Sequence, residues 1–579
     1  MNFKLRIVAL LLLVMMMFTS CSIDSIMQMI PGLGGDITLT TTTTTKTTTT
    51  NNGTTNDSDT KWNRADHTTS SKELAARYTL TPEKVEAAKA MLDGIVEASM
   101  VVDADMEELD AMFEDFEAAF YHIAQQMTIS MIVYYVDMSN ETNAQLYLDT
   151  QDMFYSLQDK YNEACRTMYL DSPHKDYLFD GWTPAEIASI LEYDPEIIAI
   201  KKEIEALEVE YNDLSSDGFE DRAAEIYAQI VTKNNLLARE YYSNSEVQYE
   251  NYYDYASTNV YSRDYSTEKL ADFRQYVIKY IVPAFEKAYS RYSNVSNLSS
   301  NMKKQANSFL EGKFDSLDRN YLIEYLDSLG DTSMGNGMRH MFENKNCVIS
   351  GKPKSHPTAF QTYLYEDEIP FCLFGSSGQS STTVVHEIGH YYAALNNNDL
   401  SSYDLMETHS QGNEFLFLNF CSDKMPASVY DVVEGYQVVN ACYIIIMATI
   451  IDEFEQKVYS LDSVEGFTSA DFDAIMTEVC KKYGGASYVK DNISDPYNYW
   501  RQVCITSPVY YISYAVSSVA ALEIAALAAN DTDAAYTAYT TLVEGVEEKD
   551  GFLGALEIAG LGSPFEEETY EKINVILTK

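Results

Sequence analysis

Two histidines four residues apart, with a glutamate beside the first, are the residues of this chain best suited to catalysis. They stand in the run Val384–His390, which matches the pattern HExxH. Four residues advance a helix by about 400°, so both imidazoles project from one helix face and can bind a single ion. Zinc suits such nitrogen ligands and lowers the pKa of a bound water toward about 7. The pattern therefore predicts a zinc site held by His386 and His390, with Glu387 as general base in peptide hydrolysis.

A catalytic zinc site needs a third protein ligand and one open position. The metzincin continuation is absent, because Ala393 and Asn396 stand where that pattern has Gly and His. A carboxylate is therefore favoured. The candidates downstream of the motif are Asp399, Asp404, Glu407, His409 and Glu414.

The segment 404–414 resembles the second motif of the thimet oligopeptidase and oligoendopeptidase F family of gluzincins. In that family a glutamate ahead of a Ser-Gln pair is the third zinc ligand, and the matching residue here is Glu407. A proline commonly precedes that pair, whereas this chain has His409, which stays an alternative ligand. For Glu414 we favour a helix-face carboxylate or a partner of a ligand over direct ligation.

Further segments carry the same resemblance over roughly residues 200–550. Pro370–Gly375, just ahead of HExxH, resembles the family's edge strand, which can pair with the backbone of an extended peptide. Trp500–Ala515 is similar to the tyrosine-rich helix that lines the family's cleft. The resemblance implies a mainly α, elongated multi-helix peptidase fold that encloses a deep substrate channel, with a small β-sheet next to the HExxH helix.

One departure from the family bears on mechanism. The family usually places a histidine shortly before these tyrosines, but this chain has no histidine after His409, and an approximate alignment puts Val503 there. A phenol can donate a hydrogen bond to the oxyanion in place of the imidazole. We therefore expect Tyr511 and Tyr514, three apart on a helix, to supply that donor.

Helical spacing of apolar residues dominates the chain from about Ser71 onward. Thr81 and Pro82 suit an N-cap and first helical position, and residues 195–239 read as a helical hairpin with a break near 215–218. The strand candidate is Ile369–Phe374, preceded by 360–365, and Ala441–Ile451 reads as a buried helix. The expected regions are N-terminal helices over 71–200 and a helical zinc metallopeptidase region over 201–579.

The N-terminus predicts export. Lys4 and Arg6 precede an apolar run that ends near Cys21, so residues 1–21 read as a lipoprotein signal peptide with Cys21 as the lipidated residue. Residues 22–70, rich in threonine, read as a disordered tether. Together these features predict a protein that is lipid-anchored on the outer face of a bacterial cell membrane.

Composition narrows the range of partners. Asp and Glu number 88 against 40 Lys and Arg, a net charge of -48, so the surface repels nucleic acid. The seven cysteines after Cys21 are scattered without a CxxC and read mostly as small core residues. The sequence predicts a membrane-anchored extracellular zinc metalloendopeptidase that holds one Zn2+ and hydrolyses short peptides. The alternative is a surface peptide-binding lipoprotein with a retained but weakly active zinc site.

Overall fold

A computed structural model describes residues 64–579, apart from the short gaps 181, 183–186, 188–189, 192–194, 213, 215–217, 244–246, 312–320 and 397–401. The expected signal peptide, the lipid anchor at Cys21 and most of the expected tether lie outside the described residues. Residues 64–70, the end of that tether, are described and contact the sheet, since the Thr69 N–H donates to the Cys347 carbonyl at 2.9 Å.

The first part of the described chain is helical. Its helices are α1 (Arg64–His67), α2 (Ser71–Ala75), α3 (Pro82–Ser99), α4 (Met106–Val136), α5 (Glu141–Asp171), α6 (Lys175–Leu178), α7 (Pro195–Asn212), α8 (Phe219–Leu236), α9 (Tyr252–Tyr255), α10 (Thr267–Tyr276), α11 (Val282–Ser293), α12 (Ser300–Glu311), α13 (Leu322–Ser328) and α14 (Ser333–Glu343).

Three strands interrupt the helices, and a second helical part follows them. The strands are β1 (Cys347–Ile349), β2 (Ala359–Leu364) and β3 (Ile369–Phe374); the helices are α15 (Ser381–Leu395), α16 (Tyr403–Phe420), α17 (Ala427–Tyr459), α18 (Ser469–Cys480), α19 (Ala486–Asn492), α20 (Cys504–Thr506), α21 (Ile512–Asn530), α22 (Thr532–Glu544), α23 (Gly551–Ile558) and α24 (Glu567–Leu577). Short π-helical segments join several of them, at Leu237–Tyr242, Ala256–Val260, Val277–Ile281 and Tyr499–Val503.

The predicted local elements are confirmed. Thr81 is the N-cap of α3, with Pro82 as its first residue. The helical hairpin consists of α7 and α8, and β3 has the predicted bounds. The strand β1 was missed because three residues are too few to show a periodic pattern.

The sheet has the strand order β1-β3-β2, with β1 parallel and β2 antiparallel to β3. The expectation that Pro370–Gly375 forms an edge strand is therefore wrong, because β3 is central and hydrogen-bonded on both sides. The pairing with β1 covers only Cys372–Phe374, opposite Cys347–Ile349. The full-length edge of this sheet belongs to β2.

Side chains alternate between the two faces of the sheet and so join two hydrophobic cores. Cys372 and Phe374 enter the larger core, which is formed by apolar residues between Leu207 and Leu577. Phe371 and Leu373 enter the N-terminal core, which is formed by apolar residues between Leu74 and Ile190 and by this face of the sheet. The sheet thus lies between the N-terminal helices and the helix that carries HExxH.

Within the described residues, α17 and α21 are long and apolar enough to cross a membrane, yet both are largely buried inside the protein. Burial explains their composition, because a helix that is apolar all round suits a core as well as a bilayer. The predicted buried helix Ala441–Ile451 is the middle of α17. The cysteines at 165, 347, 372, 421, 442, 480 and 504 are all buried, as expected of core residues.

Candidate metal centre

Helix α15 carries the HExxH residues into the protein interior. Its N-cap is Ser380, whose hydroxyl accepts from the Thr383 N–H at 3.1 Å and so starts the helix. His386, Glu387 and His390 follow within the next three turns, and each is at most 3% exposed. The helix therefore presents both imidazoles in a site shielded from water.

Helix α16 packs against α15 at Gly389, the glycine between the two histidines. A Cβ at this position would lie 2.7 Å from the His409 carbonyl oxygen and 2.7 Å from the Ser410 Cα. Only glycine allows so close an approach of two helix backbones. A hydrogen bond of 2.8 Å from Asn413 Nδ2 to the Val385 carbonyl fixes the same contact.

This packing brings three candidate ligands together. His386 Nε2 lies 3.2 Å from His390 Nε2. It also lies 3.8 Å from Oε2 of Glu407, to which the Ser410 hydroxyl donates a hydrogen bond at 3.3 Å. One ligand atom from each of His386, His390 and Glu407 lies within 4.8 Å of the others. The three ligands expected from the sequence thus converge in the fold.

The second nitrogen of His386 is held by a carboxylate. Its Nδ1 lies 2.7 Å from Glu414 Oε1, and Gln437 Nε2 on α17 donates to the other oxygen of Glu414. A proton on Nδ1 leaves Nε2 with a lone pair that faces His390 and Glu407. Glu414 therefore contacts a candidate ligand and lies outside the group of three candidate ligand atoms.

Burial and neighbouring charges make the cluster receptive to a cation. Burial raises the pKa of Glu407 to about 7, against the opposing charge of His386. For His386, burial disfavours the charged form, but the hydrogen bond and charge of Glu414 outweigh it and raise the pKa to about 9. Burial and the nearby positive charge of His386 lower the pKa of His390 well below its usual value. The carboxyl groups of Glu414, Glu407 and Glu387 all favour a positive charge at His386, so the cluster favours a cation.

The donor set fits a zinc ion. Two atoms bound at about 2.0–2.2 Å to one tetrahedral ion lie roughly 3.3 Å apart, close to the 3.2 Å between the two Nε2 atoms. Lone pairs facing each other at that distance repel unless a proton or cation lies between them. Two imidazoles and one carboxylate are also the ligand set of a catalytic zinc site with an open position.

His409, the alternative ligand, is buried but lies outside this group of ligand atoms. Its backbone carbonyl lies against Gly389 and accepts a hydrogen bond from the Tyr539 hydroxyl at 2.8 Å. Burial lowers the pKa of its ring to about 4, so the ring is neutral. In this structure His409 contributes its backbone to the packing of α16, and its role as an alternative ligand stays a prediction.

Tyr511 and Tyr514 stand where a turn enters α21. Tyr514 is buried on the first turn of the helix, and Tyr511 immediately precedes the helix. Tyr510 connects the two, since its hydroxyl donates to the Tyr514 hydroxyl at 3.2 Å and its ring lies 5.9 Å from that of Tyr511. The ring of Tyr510 also lies 5.7 Å from that of Tyr403, the first residue of α16. The tyrosines therefore adjoin the end of α16 that carries Glu407.

Some residues of this neighbourhood lie outside the HExxH, Glu407 and tyrosine segments. Gln437 supports Glu414, and Arg263 and Glu455 hold the turn ahead of the tyrosines. A polar residue in a largely apolar stretch of α17 was the available signal for Gln437, whereas Glu455 lies in a charged run and carried no such signal. Val503 is partly buried at the end of a π-helical segment, and its relation to the metal ligands stays a prediction.

Comparison with known proteins identifies the fold. PZ peptidase A, solved with an inhibitor, is 18% identical with a TM-score of 0.61, and the match covers 85% of this chain and 97% of that chain. A Bacillus anthracis protein provisionally named oligoendopeptidase F is 17% identical with a TM-score of 0.61, over 86% of this chain and 96% of its own. Oligoendopeptidase F from Enterococcus faecium is 13% identical with a TM-score of 0.51, over 86% and 98%.

The search of protein-family models found no match to this sequence, and the search of curated proteins found none either. The likeness therefore rests on tertiary structure. The chain has the oligoendopeptidase F fold, which confirms the fold that the sequence motifs implied.

Proposed function

We propose that this chain, which has the oligoendopeptidase F fold, is a zinc metalloendopeptidase that hydrolyses short peptides. The observation that carries the proposal is the convergence of His386, His390 and Glu407 on one buried point, with Glu387 on the same helix. The peptidase neighbours in fold support the same reaction class. These three residues would hold the ion, and the Glu414–His386 contact would orient one of them.

A zinc ion held by His386, His390 and Glu407 would supply Lewis acidity toward a peptide carbonyl and would lower the pKa of a bound water toward about 7. Glu387 takes a proton from the attacking water and delivers it to the departing amine. Its burial keeps this proton transfer away from bulk solvent. Tyr511 or Tyr514 donates a hydrogen bond to the developing oxyanion, in place of the histidine that this chain lacks.

Export and anchoring complete the proposal. Cys21 is the lipidated residue, and residues 22–63 separate the anchor from the folded part on the outer face of a bacterial membrane. Cys21→Ala should move the protein from the membrane fraction to the soluble fraction. Retention of the variant in membranes would contradict the anchor and leave the peptidase proposal standing.

The decisive experiment is hydrolysis of a mixed library of quenched fluorescent peptides by the zinc-loaded protein. Glu387→Gln should abolish cleavage and leave zinc bound, because Glu387 moves the proton without ligating the ion. Glu478→Gln is the matched control, since Glu478 is 63% exposed and pairs with Lys457 on the surface. Peptide binding without cleavage by the unmodified protein would support the alternative, a peptide-binding lipoprotein with a weakly active zinc site.

A further inference from the structure

The turn that leads into α21 contains a residue with a strained backbone. Val509 has a φ of +64°, in the left-handed region that β-branched side chains rarely adopt, and it is only 1% exposed. Such a conformation persists only where its surroundings enforce it, and it is most often found at functional sites. Tyr510 and Tyr511 follow Val509 directly.

Buried side chains bind the backbone on both sides of this residue. Glu455 Oε1 accepts the Val509 N–H at 2.9 Å. Arg263 Nη2 donates to the Val509 carbonyl at 2.7 Å and to the Tyr510 carbonyl at 3.2 Å. The Tyr261 hydroxyl donates to the Pro508 carbonyl at 2.7 Å, and its ring lies 4.6 Å from the guanidinium of Arg263.

The same contacts reach the helix that carries Glu407. Arg263 Nη2 donates to the Ser513 hydroxyl at 3.2 Å on the first turn of α21. Ser517, one turn later, donates to the backbone carbonyl of Asp404 at 2.5 Å. The Asp404 carboxylate is fully buried, and the charge of Arg263 offsets part of the burial that raises its pKa. Arg263 thereby joins the tyrosine turn to the first turn of α16.

The hydrogen bonds from Arg263 and Glu455 satisfy buried polar groups and also support the strained backbone at Val509. A turn with no strain would keep its shape without side-chain support, whereas a left-handed valine relaxes once its support is removed. Relaxation at Val509 would rotate the peptide units that precede Tyr511 and displace the phenols relative to the ligands. A displacement of about 1 Å is enough to lower a catalytic rate on the order of a hundred-fold.

We propose that Arg263 and Glu455 are positioning residues that hold the strained turn at Val509 and so set Tyr511 and Tyr514 relative to Glu407. The inference rests on the proposed function, because it assigns these residues a role in the rate of peptide hydrolysis. The inference adds to the candidate metal centre two supporting residues that are far from HExxH in sequence.

The first test compares two replacements of Glu455 in the zinc-loaded protein. Glu455→Gln keeps an oxygen that accepts the Val509 N–H and should retain at least half of kcat. Glu455→Leu removes the acceptor and should lower kcat at least ten-fold, with KM within about three-fold and one zinc per chain. Glu453→Leu is the control, because Glu453 is equally buried but binds Lys482 and Tyr483 instead of the turn.

The second test asks whether backbone strain at Val509 causes the loss of kcat in Glu455→Leu. Val509→Gly and Val509→Ala both shorten the side chain, but only glycine adopts a positive φ without cost. In the Glu455→Leu background, Val509→Gly should restore kcat at least three-fold, and Val509→Ala should not. Equal effects of glycine and alanine would overturn the role of strain and with it the proposal.

Further outcomes separate this inference from the proposed function. Absence of hydrolysis by the unmodified protein would contradict the peptidase itself. Full kcat in Glu455→Leu, or an equal loss of kcat in Glu453→Leu, would contradict the positioning role and leave the proposed peptidase function standing.

If Glu455→Leu fails to fold, Arg263→Lys is the deciding variant, because lysine keeps the positive charge beside Asp404 but lacks the guanidinium fork that reaches the turn. Full kcat in Arg263→Lys would then refute the inference, and a ten-fold loss with zinc retained would support it.

Discussion

Glu414 Oε1 lies 2.7 Å from Nδ1 of His386, directly behind the ligand atom that this histidine presents to His390 and Glu407. The two residues stand 28 positions apart, on different helices. A carboxylate in this position fixes the tautomer of a metal-binding histidine and increases its basicity.

Glu414→Gln should therefore weaken zinc binding by about 10–100-fold, because the amide replaces a charged acceptor with a neutral one. Competition with a fluorescent zinc chelator measures the change. Glu478→Gln, on the surface of α18, should leave the affinity unchanged. Equal zinc affinity in the protein with and without Glu414→Gln would show that this contact does not support the ligand.

Purified protein should hold about one zinc per chain, and His386→Ala should lose it after mild chelation, because two ligands hold zinc far less tightly than three. Glu407→Gln should also lose zinc, whereas His409→Ala should bind it almost as well as the unmodified protein. Elemental analysis after dialysis gives the stoichiometry. The reverse ranking of the last two variants would make His409 the third ligand.

Gly389→Ala should lower both stability and zinc affinity, since the added methyl group would meet the backbone of α16 at 2.7 Å. Overpacking of this kind costs about 1–3 kcal/mol of unfolding free energy. Thermal unfolding with and without zinc measures it. Gly554→Ala is the matched control, because the nearest atom there lies at 3.6 Å and alanine favours a helix. Similar melting temperatures for the two variants would contradict the close contact at Gly389.

Phenylalanine at Tyr511 or Tyr514 should reduce kcat on the order of a hundred- to a thousand-fold without releasing zinc, if that phenol is the oxyanion donor. Tyr536→Phe, on α22, serves as the control. Val503→His should raise activity if position 503 faces the metal, because an imidazole there can donate to the oxyanion. If both Tyr511→Phe and Tyr514→Phe retain the full kcat, these tyrosines are packing residues and their role as oxyanion donors is wrong.

Peptides of roughly a dozen residues should be cleaved and folded proteins spared, as expected of a site enclosed by helices. Mass spectrometry of digests of matched substrates, one short peptide and one folded protein containing the same segment, measures the difference. Comparable cleavage of the folded substrate at that segment would contradict size selection.

Local features of the fold could be predicted because short-range chemistry decides them. His386 and His390, four residues apart, share one face only if the segment is helical. Thr81 and Pro82 favour the start of a helix whatever the tertiary contacts of the rest of the chain. The bounds of β3 follow from a short apolar run ended by Gly375. Glu407 was chosen as the candidate third ligand from its resemblance to a family motif, and it lies beside the two histidines.

Long-range pairing was not predictable in this way. The sequence suggested an edge strand at Pro370–Gly375, but the three-residue strand β1 makes β3 central, and so short a strand has no periodicity of its own. The anchor at Cys21 and the roles of Tyr511 and Tyr514 stay predictions.

The sequence by itself determined which chemistry we propose for this protein, since HExxH and the Glu407 segment supply the candidate ligands and their helical spacing. The tertiary structure alone decided how that chemistry is supported. Gln437 reaches Glu414, and Arg263 and Glu455 meet at Val509, only because segments distant in sequence pack together. The local sequence does not specify the partners of these residues, since burial and hydrogen bonding between separate segments arise only when the whole core closes.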